Sequence, residues 1–222
     1  MEFVLVVPRT MLFPESTPHG LVLFDGARPA EAVHACVESQ GFFVEREYAE
    51  RTPSLKQVIP YSIVVRHSTG DEPEVLCLRR TTRGGEPRLH DKLSIGVGGH
   101  IDPEDLPDGS NGPKGRAALI AAATQREVFE EELVVDGPFE VRAVGLLNDD
   151  SNPVGAVHVG FVQVITVEGS VRVREVDQLE GSFRASSSLQ RMLAEGANFE
   201  TWSSLLLPDL DHLVSSSVAT TS

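Results

Sequence analysis

One segment, RAALIAAATQREVFEEEL at residues 116–133, limits the possible folds more than any other. Its Ala, Leu, Glu and Arg content predicts the strongest helix in the chain. Around it lie runs with strand character: EFVLVV, GLVLF and GFFVERE near the start, then QVIPYSIVVRH, EVLCLRR, FEVRAVGLLN and AVHVGFVQVITV. A short VRVREV run follows them. Helices are predicted at PAEAVHACVES and, near the end, at SSLQRMLAEG and ETWSSLLL. Strands that flank one central helix, without regular alternation, predict an α/β (α+β) layered domain with a mixed central sheet. KLSIGVGGH reads as a strand closed by Gly98-Gly99, and IDPEDLPDGSNGPKG after it as loop.

The end of the central helix is crowded with acids. Glu127, Glu130 and Glu131 stand at i, i+3 and i+4, the spacing that shares a helix face, and Glu132 adjoins them. Each like-charged pair costs an exposed helix roughly 0.2–0.5 kcal/mol, and several times more when buried without a counter-charge. Either that face is solvated, or it holds a cation.

The totals exclude several classes. A net charge of −14 argues against a nucleic acid polymer as partner, while a small phosphorylated substrate stays open because a metal ion reverses the sign locally. Two cysteines, Cys36 and Cys77, make no metal-like spacing and no disulfide framework. Glu2 stands where a signal peptide needs basic residues, and no stretch reaches the roughly 18 apolar residues of a membrane span. The expectation is a soluble cytoplasmic protein with no membrane partner. A homodimer is left open.

Arg126 directly precedes Glu127, and the Gly98-Gly99 turn lies upstream behind a strand. These residues resemble the Nudix box of the Nudix hydrolase superfamily, G-x5-E-x7-R-E-U-x-E-E-x-G-U with U aliphatic. Arg126, Glu127, Val128, Glu130, Glu131 and Val134 fall on R, E, U, E, E and the last U. Gly98-x5-Glu104 fits the opening, but 21 residues instead of seven separate Glu104 from Arg126, which reads as a loop insertion. Strict counting back puts Ala118 at the first glutamate, and Leu133 replaces the closing glycine. LHDKLSIGVGGH also resembles the strand and turn before the box, and the GGHI turn resembles a bacterial subgroup loosely called phosphoesterases. The resemblance covers roughly residues 56–170.

It implies an α/β/α sandwich within 55–213; the run of the chain itself sets off a small N-terminal α/β extension at 1–54, closed at ERTPS, and a flexible tail at 214–222. It implies a divalent-metal-dependent hydrolase that cleaves a phosphoanhydride bond in a nucleoside diphosphate derivative or related phosphorylated compound. Glu127, Glu130 and Glu131 are then the metal ligands, with the Gly99 carbonyl, and Arg126 orients a carboxylate. Hard carboxylate oxygens suit Mg²⁺ or Mn²⁺ better than zinc or copper.

The remaining candidates are weaker. Arg79, Arg80, Arg83, Arg88 and Lys92 form a basic island, either a phosphate-recognition patch or a solvated hairpin. His100 follows Gly99 and stands as a substrate-side or supporting residue, with His90 and His158 behind it; no histidine pair has zinc spacing. Glu175, Asp177 and Glu180 offer a general base, against the reading that they are ordinary loop acids. P-loop and Rossmann patterns are absent, as is G-x-S-x-G. Three rivals remain: a non-catalytic nucleotide sensor, prenyl-diphosphate-isomerase-like chemistry, and a merely solvated acidic helix.

Overall fold

The computed structural model describes residues 1–67, 72–80, 92–106, 118–174 and 179–215. In chain order the elements begin with β1 (Phe3–Pro8), α1 (Arg9–Leu12), β2 (Gly20–Leu23), α2 (Ala30–Gln40), β3 (Phe42–Glu45) and α3 (Arg46–Ala49). Next come β4 (Leu55–His67), β5 (Pro73–Arg80), β6 (Leu93–Ser94) and a single 3-10 turn at Pro103–Asp105. The central helix is α4 (Leu119–Thr124), continued by a π-helix at Gln125–Glu132. After it come β7 (Leu133–Val135), β8 (Phe139–Asn148), β9 (His158–Val167), β10 (Val171–Val173) and β11 (Leu179–Ala185). The helices α5 (Ser186–Ala194), α6 (Thr201–Leu206) and α7 (Leu210–Ser215) close the described chain.

These elements gather into two compact units. The first comprises Met1–Tyr61, Gly98–Glu127 and Ala143–Val162. In it β1 lies between β3 and β4, antiparallel to both, with Phe3 opposite Glu45 and Val7 opposite Lys56. β2 pairs antiparallel with β8, from Gly20 opposite Asn148 to Leu23 opposite Gly145. The period-two rule divides β1 cleanly. Leu5 and Val7 enter a core with Val33 and Val37 of α2, Leu119, Ile120 and Ala123 of α4, and Leu146, Val159 and Phe161. Val4 and Val6 point the other way and pack with Ala49, Val44 and Leu55. The Leu5 amide also donates to the Ile101 carbonyl at 2.9 Å. The segment expected as an N-terminal extension therefore contributes its first strand to the unit that carries Gly98–Glu127.

The second unit comprises Ser62–Val97, Val128–Arg142 and Gln163–Ser222. Here β5 pairs antiparallel with β4, with β6 and, over seven residue pairs, with β11. β7 and β10 form a separate antiparallel ribbon, and Leu93 makes a parallel bridge to Phe199. Val64, Leu76, Leu78, Val128, Leu133, Ile165 and Leu179 form its core.

The fold class is α+β, as the sequence predicts, with four differences in detail. The central helix changes from α to π after Thr124. β11 occupies LEGSFRA, where no strand is predicted, because most of its side chains face solvent and supply no apolar alternation. KLSIGVGGH gives only the two residues of β6 and a bridge between Ser62 and Val97. α7 reaches Ser215, inside the expected tail, and 216–222 lie outside the described residues. Among the described residues no helix is long and apolar enough to cross a membrane.

Candidate active site at the double-glycine turn

A close approach, not an unusual dihedral, accounts for the two turn glycines, since neither has positive φ. A Cβ on Gly98 would overlap the Pro60 carbonyl oxygen, and a Cβ on Gly99 would overlap the carboxyl group of Glu127. Both separations lie inside 3.0 Å, which real Cβ atoms do not show. The bare backbone at Gly99 is therefore what admits the Glu127 carboxylate to the turn.

Arg126 fixes that carboxylate from the other side. Its Nη1 donates to Glu127 Oε1 at 2.6 Å. Its Nε and Nη2 donate to the two oxygens of Asp105 at 3.0 and 2.9 Å, a two-pronged fork. Nη2 also donates to the His100 carbonyl at 2.9 Å. Asp105 is 6% exposed and also accepts the Asp102 amide at 2.8 Å. Asp102 stands 3.6 Å from the same guanidinium, and its carboxyl is pushed up chiefly by burial, against the pull of Arg126.

The opening of the box therefore needs a correction. Glu104 is exposed, and its neighbour Asp105 is the acid that holds Arg126. The 3-10 turn rotates Glu104 outward and Asp105 inward, and the extra chain that follows releases the acid from the seven-residue spacing. Neither Asp102 nor Asp105 was singled out from the sequence. The signal was an arginine in need of a carboxylate, with DPED just past the turn.

His100 lies beside His158, with Nε2 atoms 3.1 Å apart. His158 Nδ1 stands 2.7 Å from the Val154 carbonyl. Burial, then the positive field of Arg46, His158 and Arg126, pushes the His100 pKa down to about 3, so the ring is neutral near pH 7. Burial likewise lowers His158. The loop leading to His158 is held from beneath by Lys56, whose side chain is wholly buried. Lys56 Nζ donates to Asp150 Oδ1 at 2.7 Å, to the Gly155 carbonyl at 3.0 Å and to the His158 carbonyl at 3.2 Å. Asp149 accepts the Ser151 amide and the Asn152 side chain, at 2.9 and 2.7 Å.

Glu130 and Glu131 lie further along the π-helix, in the second unit, and both are exposed. With i→i+5 bonding, the i, i+3, i+4 count no longer defines one face of this segment. Such π turns occur often at functional sites. Leu133 is fully buried in the core of its unit, so the position of the closing glycine is spent on packing. Arg174 then takes up the carbonyls left over at the helix end: Nη2 donates to Phe129 O at 2.7 Å and Nε to Leu133 O at 3.2 Å.

Two of the weaker candidates meet each other. Arg79 and Glu180 are directly opposed across β5 and β11 and form an exposed ion pair at 2.7 Å. Glu175 and Asp177, the Arg80 side chain, Arg83, Arg88 and His90 lie outside the described residues.

No family model matches the chain. It is 34% identical over 215 residues to Protein YmaB of Bacillus subtilis (strain 168), across 95% of this chain and 98% of that one. The crystal structure of Tm1382, a protein assigned to the Nudix hydrolases, matches with 27% identity and a TM-score of 0.75 over 96% of this chain and all of that one. The chain belongs to the Nudix hydrolase superfamily. It shares its family with YmaB, and its fold class is that of Nudix hydrolases. The Nudix domain of Shewanella oneidensis NrtR, complexed with ADP ribose, shares the fold at 10% identity and a TM-score of 0.50, covering 72% of this chain and 88% of that one.

Proposed function

We propose that this Nudix protein is a divalent-metal-dependent hydrolase that cleaves the phosphoanhydride bond of a nucleoside diphosphate derivative. The observation that carries the proposal is the Gly99–Glu127–Arg126–Asp105 corner. A carboxylate is seated against a side-chain-free turn and held by an arginine that a second, buried acid locks in place. The box resemblance makes Glu127, Glu130, Glu131 and the Gly99 carbonyl the ligands for Mg²⁺ or Mn²⁺. The donor set fits: every side-chain ligand is a carboxylate, the hard oxygen these ions prefer. Among the described residues no three or more His, Cys, Asp or Glu side chains are gathered as a ready-made cage. When bound, the metal offsets diphosphate charge and makes a coordinated water more acidic.

The chain's own residues hold the arrangement. Arg126 fixes the direction of the Glu127 carboxylate, while Asp105 keeps that guanidinium from turning to the substrate phosphates. Water attacks phosphorus, the bridging P–O bond breaks, and two phosphate-ended products and a proton leave. The general base is unassigned. Glu180 serves poorly because Arg79 holds it in an ion pair.

The test is turnover of a panel of nucleoside diphosphate derivatives, headed by ADP-ribose, with Mg²⁺ or Mn²⁺. Products are read as phosphate after phosphatase treatment. Hydrolysis of one compound that Glu127→Gln abolishes supports the proposal. Thermal stabilisation by a nucleotide without turnover supports the sensor alternative.

A further inference from the structure

We infer that His158 is a positioning residue for the Glu127–Arg126 corner, acting through His100, an assignment that rests on the hydrolase reading above. The hydrogen-bond chain has one consistent direction. A carbonyl only accepts, so the 2.7 Å contact with Val154 O requires a proton on His158 Nδ1. In neutral His158 the Nε2 is then a bare acceptor, and the 3.1 Å contact requires the proton on His100 Nε2. His100 is thereby held in one tautomer and one ring orientation.

The backbone of His100 is part of the corner. Its carbonyl accepts Arg126 Nη2 at 2.9 Å, and the preceding residue is Gly99, against which Glu127 sits. His158 in turn is anchored firmly. Lys56 holds its carbonyl and that of Gly155, and a Cβ on Gly155 would overlap the Asp149 carbonyl. A well-supported loop therefore ends in a ring whose acceptor pins the turn. Without that acceptor the half-buried His100 N–H loses its partner and the turn can rotate away from Glu127. Supporting hydrogen bonds of this kind around metal-site residues change activity by roughly 10–100-fold.

The experiment compares His158→Phe, which keeps a ring but cannot accept, with His158→Gln, whose Oε1 accepts where Nε2 did. Kinetics use the panel compound that wild type turns over fastest. Long-range ¹⁵N–¹H spectra of the free protein give the tautomers. The expected result is a wild type with Nδ1–H on His158 and Nε2–H on His100. His158→Phe loses at least tenfold in kcat with KM within about twofold while still folded at the assay temperature, and His158→Gln recovers at least a third of kcat. If His158→Phe fails to fold, His158→Leu takes its place. Equal kcat for the Phe and Gln variants, or an Nδ1–H tautomer at His100, overturns the assignment. Should Glu127→Gln prove as active as wild type, the box reading fails first, and the positioning role falls with it whatever the tautomers.

Discussion

Replacing Gly99 by Ala separates catalysis from stability. The new methyl carbon would overlap the Cδ and both carboxylate oxygens of Glu127, all at the end of a flexible side chain. Relief needs a displacement on the order of 1 Å, and a misplacement of that size costs a catalytic group roughly 100-fold in rate. Folding is affected little, because Gly99 has no positive φ for alanine to strain and the carboxylate swings more easily than backbone. Gly98→Ala gives the opposite result, since its clash is with the Pro60 carbonyl, which cannot swing aside. Overpacking of that kind costs about 1–3 kcal/mol. The assays are steady-state turnover and urea denaturation on both variants. A Gly99→Ala enzyme within threefold of wild-type kcat, or one that loses as much stability as Gly98→Ala, would refute this reasoning.

Asp105→Ala removes the fork on Arg126 but leaves the guanidinium on Glu127 and the His100 carbonyl, and should lower stability by about 1–3 kcal/mol; urea unfolding measures it. Phe161→Ala empties the centre of the first unit's core, where the ring meets Phe24 and His34, and should cost about 3–5 kcal/mol by the same assay. The pH dependence follows from His100. The unfolded chain protonates this ring near 6.5 and the folded chain only near 3, so between these values the unfolded state binds more protons. Stability therefore falls as pH drops from 6.5 towards 3, by up to about 1.4 kcal/mol per pH unit from this group. His100→Gln should flatten that slope in denaturation curves taken across the window.

The motif half of the site was legible in the sequence. Arg126 and Glu127 are adjacent, and Gly98-Gly99 marks a turn in any fold, so their meeting needed only the box pattern. Asp105 was not legible, because its role depends on a 3-10 turn that points one of two neighbouring acids inward and on an insertion that breaks the spacing. The partners of Lys56 and of His158, a weaker candidate from the sequence, were obscured for a related reason. Each of these two residues lies in or beside a strand run where local pattern gives burial but not partner, and their partners are 94 and 58 residues away. The π segment was also hidden, since its composition is that of an ordinary α-helix. β11 escaped because a strand with mostly solvated side chains reads as loop. Conversely, β8 matches its predicted run end to end, its inward residues carrying the core.

The central claim is that the acidic end of the helix works on a phosphoanhydride. The measurement that tests it most directly is turnover of the nucleoside diphosphate panel, with Mg²⁺ or Mn²⁺, by wild type and Glu131→Gln. The account predicts that one compound is hydrolysed and that the variant, still folded, loses orders of magnitude in kcat. A variant as active as wild type, or a wild type that neither turns over nor is stabilised by metal or nucleotide, would contradict it and leave Glu130 and Glu131 as a solvated surface and Glu127 as a structural partner of Arg126.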